Sequence, residues 1–200
     1  MERKGLLLVL SGPSGAGKGA ICKELHINEP SMRLSVSATT RPPRRGEVEG
    51  ADYFFLDKDL FKMMIQKGQL LEYAEVYDNY YGTPRRFVEE SLGEGLDIIL
   101  EIDIQGALQV KERYPWALLV FISPPSKREL EKRLIIRGTD SQEVIVRRLQ
   151  SAAGEMKLAS RYDYIVINDE VSKAVYKIRA ILTAEKARPG CFKSFLNNFS

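Results

Sequence analysis

A short apolar run leads directly into a glycine-rich segment, and this junction constrains the fold more than any other feature of the chain. Residues 6–10 are Leu-Leu-Leu-Val-Leu, and Gly12-Pro-Ser-Gly-Ala-Gly-Lys18 follows them before a helix-forming stretch. In the order strand, GxxxxGK, helix, such a loop is a phosphate-binding P-loop, because its glycines turn the backbone tightly and direct N–H groups inward. Lys18 can then reach the β- and γ-phosphates of a nucleotide. The predicted phosphate contacts are Gly12, Pro13, Ser14, Gly15, Ala16, Gly17, Lys18 and Gly19.

Further apolar runs extend this pattern along the chain, at residues 34–36, 98–102, 118–122 and 164–167. Amphipathic stretches separate them, and this alternation predicts a mostly parallel sheet covered by helices. Helix starts are predicted at Asp57, at Thr83-Pro84 and at a capping box formed by Ser126 and Glu129. The last helix is predicted over about residues 170–186.

Two segments interrupt the alternation of strands and helices. Residues 35–81 contain Pro42-Pro43, charged turns and Tyr53-Phe-Phe, which predicts a small inserted α+β subdomain with its own strands. Residues 126–153 are rich in arginine and predict a helical lid. The core is then formed by residues 1–34, 82–125 and 154–200, and the whole chain of 200 residues is one domain.

Composition excludes several other classes of protein. With 44% hydrophobic and 28% charged residues and a net charge of +3, the chain is neither disordered nor a typical nucleic-acid-binding protein. Its two cysteines, Cys22 and Cys191, are too isolated to indicate a disulfide framework or a zinc site. The apolar runs are too short for a signal peptide or a membrane span. We therefore expect a cytoplasmic protein without nucleic-acid or membrane partners.

Carboxylates near the P-loop are candidates for metal binding. In Ile98-Ile-Leu-Glu-Ile-Asp103, strand alternation would place Glu101 and Asp103 on one face, with Asp103 at the carboxyl end where ligands of such sheets bind. Asp103 is thus a candidate partner of Mg²⁺ through water, and Glu101 faces either the second substrate or solvent. The residues after Lys18 are Gly19 and Ala20, so no hydroxyl stands where a P-loop usually supplies a Mg²⁺ ligand. The metal would be held mainly by substrate phosphates and water.

The segment from Ser37 to Glu47 places Arg41, Arg44 and Arg45 in a proline-stiffened loop. Tyr53, Glu72, Tyr81 and Thr83 follow it. Guanidinium and phenol donors suit a phosphate monoester. One glutamate can accept hydrogen bonds from both N1–H and N2–H of guanine, whereas it repels the N1 acceptor of adenine. These residue types therefore indicate a site for a guanine nucleotide.

Taken together, these segments resemble the guanylate kinase family over about residues 6–186. The resemblance rests on the P-loop and, in the family's order, on Ser37, Arg41, Arg44, Gly46-Glu47, Asp52-Tyr53, Leu71-Glu72-Tyr73, Tyr80-Tyr81-Gly82, Glu101-Ile-Asp103-x-Gln-Gly106, Arg137-Gly-Thr and Asn168-Asp169-Glu170. It implies the three-layer P-loop NTPase fold and ATP-dependent phosphorylation of GMP to GDP, with Mg²⁺ and with dGMP as a second acceptor. Ala20 departs from the family, which usually carries a threonine or serine beside or just after the position of Gly19.

The resemblance also implies roles for individual residues. Arg41, Arg44, Tyr53 and Tyr81 would bind the GMP phosphate, and Ser37, Glu72 and Thr83 would contact guanine. Asp103 would lie near the guanine amino group and the metal's waters, and Asn168 near adenine. The oligomeric state would be monomer or homodimer.

Arginines of the predicted lid are candidates for catalysis together with Lys18. Arg133 and Arg137 lie four positions apart on one helical face, and Arg148 follows in the next helix. Cations delivered to a transferring phosphoryl group stabilise its charge, and no catalytic base is needed because the GMP phosphate is largely dianionic at neutral pH. The alternative is a solvated helix face on which Glu129 and Glu131 pair with these arginines.

Two other functions remain open at this point. A regulatory GTPase would explain the DxxG pattern of Asp103 to Gly106, but the chain has no NKxD-like segment and lacks the hydroxyl after Lys18 that such a switch needs for Mg²⁺. A non-catalytic guanylate-kinase-like interaction module would bind a protein in the acceptor cleft, yet Lys18 and the lid arginines are retained.

Overall fold

The computed structural model describes residues 5–76, 78–136, 142–192 and 197–198, and these residues form two β-sheets. The larger sheet has five parallel strands and the smaller has four mixed strands. The strands are β1 (Leu7–Ser11), β2 (Arg33–Leu34), β3 (Ser37–Thr39), β4 (Tyr53–Phe55), β5 (Leu70–Val76), β6 (Asn79–Pro84), β7 (Ile98–Glu101), β8 (Leu118–Ser123) and β9 (Tyr164–Ile167).

Seven α-helices accompany these strands within the described ranges, and none of them is both long and apolar enough to cross a membrane. The helices are α1 (Lys18–Asn28), α2 (Lys58–Gln66), α3 (Arg85–Gly93), α4 (Ile104–Arg113), α5 (Lys127–Ile136), α6 (Gln142–Lys157) and α7 (Val171–Lys186). Short 3₁₀ helices follow α6 and α7, at Leu158–Arg161 and Pro189–Phe192.

The larger sheet has the strand order β2-β7-β1-β8-β9, so β1 lies at its centre and is buried throughout. Because successive side chains of a strand point to opposite faces, β1 contributes to two cores. Leu8 and Leu10 pack in the core that includes side chains of α1 and α7. Leu7 and Val9 pack in the core that includes side chains of α3 and α4. This arrangement confirms the three-layer α/β fold.

The smaller sheet has the strand order β4-β3-β6-β5 and stands within the segment predicted as an insertion. Helix α2 covers it with Phe61, whose ring is fully buried and stacks on Tyr80 at 5.4 Å between centroids. The sheet continues to Pro84, three residues past the predicted end of the insertion.

Three of the four predicted helix boundaries agree with the structure. Asp57 caps α2 by accepting the N–H of Leu60 at 2.7 Å, Ser126 accepts the N–H of Glu129 at 3.1 Å, and the last helix ends at Lys186 as expected. The prediction of Thr83 as a helix cap is wrong. Thr83 belongs to β6, its hydroxyl is engaged by a buried carboxylate, and Pro84 occupies the cap of α3.

Candidate active site

The P-loop, the smaller sheet and helices α5 and α6 enclose a cleft of about 670 Å³ at the carboxyl ends of the central strands. Most of the predicted site residues meet there, although the sequence spreads them over more than 130 positions. Those lining the cleft are Gly12, Ser14, Gly15, Gly17, Lys18, Gly19, Ser37, Arg41, Arg44, Tyr53, Glu72, Tyr81, Glu101, Asp103, Arg133 and Arg148.

The P-loop connects β1 to α1 through backbone conformations that require glycine. Gly12 has a φ of 144°, and a Cβ there would lie 2.2 Å from the carbonyl oxygen of Ile122 in β8. Gly17, at φ 91°, directly precedes α1, so the free N–H groups of the first helical turn face the loop. Lys18 Nζ donates to the carbonyl oxygens of Gly12 at 2.6 Å and Pro13 at 3.2 Å. The loop thus forms a cradle for anions with its lysine folded over it.

Three carboxylates act on the Lys18 ammonium group through their negative charge. Burial lowers the pKa of Lys18, while Glu101, Glu155 and Asp103 raise it through their negative charge. Glu155 of α6 was missed by sequence reasoning because no local motif surrounds it, yet it lines the cleft. No group of three or more Asp, Glu, His or Cys side chains in the described part of the chain is arranged to hold a metal ion directly.

Two arginines from the lid helices contact the P-loop. Arg148 Nη1 donates to Ser14 Oγ at 2.9 Å, and Arg133 donates to the backbone oxygens of Asn168 at 3.0 Å and Ala16 at 3.5 Å. These contacts argue against a purely solvated helix face, although the pairing of Arg133 with Glu129 that this alternative predicts is present at 3.1 Å. Arg137 lies outside the described residues.

Asn168 lies behind the P-loop rather than in the cleft. Its side chain is buried, and Nδ2 donates to the carbonyl oxygen of Ala16 at 2.8 Å. A Cβ on Gly17 would lie only 2.4 Å from Asn168 Nδ2, so glycine at this position leaves room for the hydrogen bond between Asn168 and Ala16. Pro13, Ala16 and Thr83 are likewise buried and lie outside the cleft lining. These four residues support the site from behind.

The smaller sheet brings arginine and tyrosine side chains to the opposite wall. Arg41 forms two hydrogen bonds of 2.6 Å with the carboxylate of Glu47, and its guanidinium lies 4.8 Å from the ring centroid of Tyr53. Glu47 also accepts the N–H of Arg44 at 2.7 Å. The Arg41 hydrogen bond lowers the pKa of Glu47 to about 2. Glu47, whose individual role the sequence left open, thus fixes the direction of the Arg41 fork.

Glu72 is the most deeply buried carboxylate of the cleft, with 2% of its surface exposed. Thr83 Oγ1 donates to Glu72 Oε1 at 2.6 Å. Burial raises the pKa of Glu72 to about 7, against the lowering effect of the Thr83 hydrogen bond. Such a carboxylate is desolvated, and it gains most from a ligand that donates hydrogen bonds to it.

The sequence predicts that Asp103 lies on strand β7, but the strand ends at Glu101. Asp103 instead caps α4, and its Oδ1 accepts the N–H groups of Gln105 at 2.7 Å and Gly106 at 3.1 Å. Aspartate is strongly preferred at this position because it satisfies otherwise unpaired helix N–H groups. Asp103 and Glu101 nevertheless both line the cleft.

A P-loop at the carboxyl edge of a parallel sheet, facing a wall of arginine and tyrosine, defines a P-loop nucleotide-binding protein of the α/β class. Comparison with known proteins narrows this class. The family model described as guanylate kinase matches residues 4–185. The chain belongs to the guanylate kinase family.

Individual relatives agree with this assignment. The guanylate kinase of Caldanaerobacter subterraneus subsp. tengcongensis is 56% identical over 94% of this chain and 91% of its own length. That of Clostridium acetobutylicum is 55% identical over 94% of this chain and 90% of its own. The crystal structure of guanylate kinase from Anaplasma phagocytophilum superposes with a TM-score of 0.79 at 34% identity, covering 95% of this chain and 90% of that one.

Proposed function

We propose that this protein transfers the γ-phosphoryl group of ATP to GMP, forming ADP and GDP. The observation that carries the proposal is the buried carboxylate of Glu72, which lines the same cleft as the P-loop. A P-loop alone indicates a nucleotide, whereas a desolvated carboxylate opposite it favours guanine as the base of a second nucleotide. Membership of the guanylate kinase family supports the same activity.

ATP is proposed to bind through the P-loop. The N–H groups of Gly12 and of residues 14–19, which include the start of α1, would surround its phosphates. Lys18 would leave the Gly12 and Pro13 carbonyls to bind the β- and γ-phosphates. Asn168 holds the loop from behind through Ala16, so we assign it a supporting role beside any contact with the adenine side.

GMP is proposed to bind against the smaller sheet. Arg41, Arg44, Tyr53 and Tyr81 would hold its phosphate, with Arg41 already oriented by Glu47. Glu72 would accept N1–H and N2–H of guanine, and Ser37 and Thr83 would complete the base contacts, Thr83 by orienting Glu72. The ribose 2′-hydroxyl has no partner in this scheme, and dGMP is therefore a proposed second substrate.

Alignment and charge neutralisation would supply the rate. The GMP phosphate is already a dianion near neutral pH, so the protein needs to bring two polyanions together and exclude water. Arg133 and Arg148 contact the P-loop, and we propose that they neutralise the transferring group together with Arg137. We propose that residues 126–153 act as the lid that delivers them and residues 35–81 as the GMP-binding subdomain.

Mg²⁺ is the metal we propose for this reaction, since it would offset the negative charge of the phosphates. Oxygen donors suit Mg²⁺, and Asp103 and Glu101 line the cleft near Lys18. Asp103 would hold the metal through its water, Glu101 would face the second substrate, and Glu155 would add negative charge nearby. We further propose a cytoplasmic monomer or homodimer that acts on free nucleotides.

A substrate panel tests the proposal directly. Release of ADP would be measured with ATP, Mg²⁺ and each of GMP, dGMP, AMP, UMP and dTMP. We expect turnover with GMP and dGMP and at least about a hundredfold lower kcat/KM with AMP, because hydrogen-bonding pockets discriminate strongly. Absence of turnover with GMP, together with tight binding of GMP, would favour the non-catalytic interaction module instead.

A further inference from the structure

Helix α4 packs against β5, and Gly106 of this helix meets the carboxylate of Glu72. A Cβ built on Gly106 would lie 2.2 Å from Glu72 Oε2 and 2.9 Å from Glu72 Cδ. Both residues are buried, and Glu72 borders open space only where it lines the cleft. The missing side chain of Gly106 is therefore what makes room for the carboxylate in its present position.

The glycine has no local explanation in the helix. Gly106 lies within α4 with an ordinary negative φ, where alanine has the higher helix propensity. Its N–H donates to Asp103 Oδ1, a bond that any residue except proline could make. Contact with Glu72 is the remaining reason for glycine at this position.

Two further side chains of α4 hold the backbone on either side of Glu72. Gln109 Nε2 donates to the carbonyl oxygen of Tyr73 at 2.8 Å, and Gln109 Oε1 accepts the Tyr73 N–H at 3.3 Å. Arg113 Nη1 donates to the carbonyl oxygens of Leu71 and, at 3.3 Å, of Leu70. Gly106, Gln109 and Arg113 follow the i, i+3, i+7 spacing of one helical face. We call these three residues the α4 stripe.

We propose that the α4 stripe is a specificity-determining support that positions Glu72 for guanine, with Gly106 setting the place of its carboxylate and Gln109 and Arg113 fixing strand β5. This inference rests on the proposed function, because it assumes that Glu72 reads the base. The α4 stripe lies on the helix that Asp103 caps, so the same helix positions two carboxylates of the cleft, Asp103 and Glu72. The three residues act through Glu72 and are positioning residues.

The test compares Gly106→Ala with the control Gly93→Ala, which makes the same change at the end of α3 where nothing lies within 4 Å. For each variant we would measure KM for GMP and for ATP, the preference for GMP over IMP, the Kd for GMP from calorimetry, and the Tm. IMP keeps N1–H but lacks the 2-amino group, so the preference reports how well Glu72 is placed.

Gly106→Ala is expected to raise both KM and Kd for GMP by about tenfold or more, the cost of misplacing a buried charged hydrogen bond. KM for ATP should stay within about twofold, and the GMP preference should fall. Gln109→Ala, at a partly exposed position, should raise the Kd for GMP by a smaller factor of about three. In a Gly106→Ala background, Glu72→Asp should cost far less than in the wild type, because the shorter side chain avoids the new methyl group.

The proposal is overturned if Gly106→Ala binds GMP as tightly as the wild type, or if KM for GMP and ATP rise together. If Gly106→Ala fails to fold, the Gln109→Ala variant is measured instead, and an unchanged Kd for GMP in that variant overturns the proposal. A wild-type protein that binds GMP without phosphorylating it would refute the proposed function alone, since the Kd comparison still tests the stripe.

Discussion

Exchanging Glu72 for glutamine replaces one carboxylate oxygen with an NH₂ group at nearly constant size. Thr83 Oγ1 donates to Glu72 Oε1 at 2.6 Å, so the single remaining oxygen of a glutamine would be held by Thr83. The amide NH₂ would then face the N–H groups of guanine, and at least one hydrogen bond to the base would be lost. Adenine, which presents an acceptor at N1, would meet a donor in place of a negative charge.

The expected size of the effect follows from burial. Only 2% of Glu72 is exposed, so water cannot replace the missing acceptor. Losing one hydrogen bond to a buried charged group costs about 1.5–3 kcal/mol, which corresponds to about a 10- to 150-fold fall in kcat/KM for GMP. The kcat/KM for AMP should rise or stay unchanged. Discrimination between GMP and AMP should therefore fall by at least about tenfold.

Steady-state ADP release with GMP and with AMP measures this discrimination. Glu75→Gln is the matched control, because Glu75 lies three residues further along the same strand with an exposed side chain outside the cleft lining. That variant should retain wild-type values with both nucleotides. If Glu72→Gln keeps the wild-type ratio of kcat/KM for GMP to that for AMP, Glu72 does not read the base and the proposed guanine contact is refuted.

Three other predictions concern pH, the lid and the P-loop. Because the pKa of Glu72 is about 7 and guanine binds its ionised form, KM for GMP should fall about tenfold from pH 6 to pH 8. The Glu72→Gln variant retains only the titration of the GMP phosphate, so an equal fall of KM in that variant would contradict this prediction. Arg148→Ala should lower kcat by about 10²- to 10³-fold with a much smaller change in KM for ATP, and wild-type turnover in single-turnover assays would remove Arg148 from the transition state. Ala20→Thr restores the missing hydroxyl. If phosphates and water hold the metal, this change should alter kcat and the Mg²⁺ concentration for half-maximal rate by less than about twofold, whereas a fivefold change would show that the hydroxyl matters.

Features set by neighbouring residues could be read from the sequence. The P-loop was predicted because its glycines, its lysine and the flanking strand and helix lie within about twenty positions. Asp57 and Ser126 were recognisable as caps for the same reason, since capping depends on residues three positions away. The central sheet followed from the spacing of short apolar runs.

Features that depend on distant contacts could not be predicted in this way. Thr83 carries the composition of a helix cap, but a carboxylate eleven residues earlier engages its hydroxyl inside a strand. Glu155 and Gly106 gain their importance from residues far away in the chain, Lys18 and Glu72 respectively. Asp103 was placed at the correct edge of the sheet, yet its role as the cap of α4 appears only where the strand ends.

We propose that one cleft joins a triphosphate bound by the P-loop to a guanine monophosphate bound opposite it. Chromatographic analysis of a reaction containing the protein, Mg²⁺, ATP and GMP tests this claim most directly. We expect equal amounts of ADP and GDP, with almost no ADP when GMP is omitted. ADP formed without GDP, or no diphosphate from either nucleotide, would contradict it.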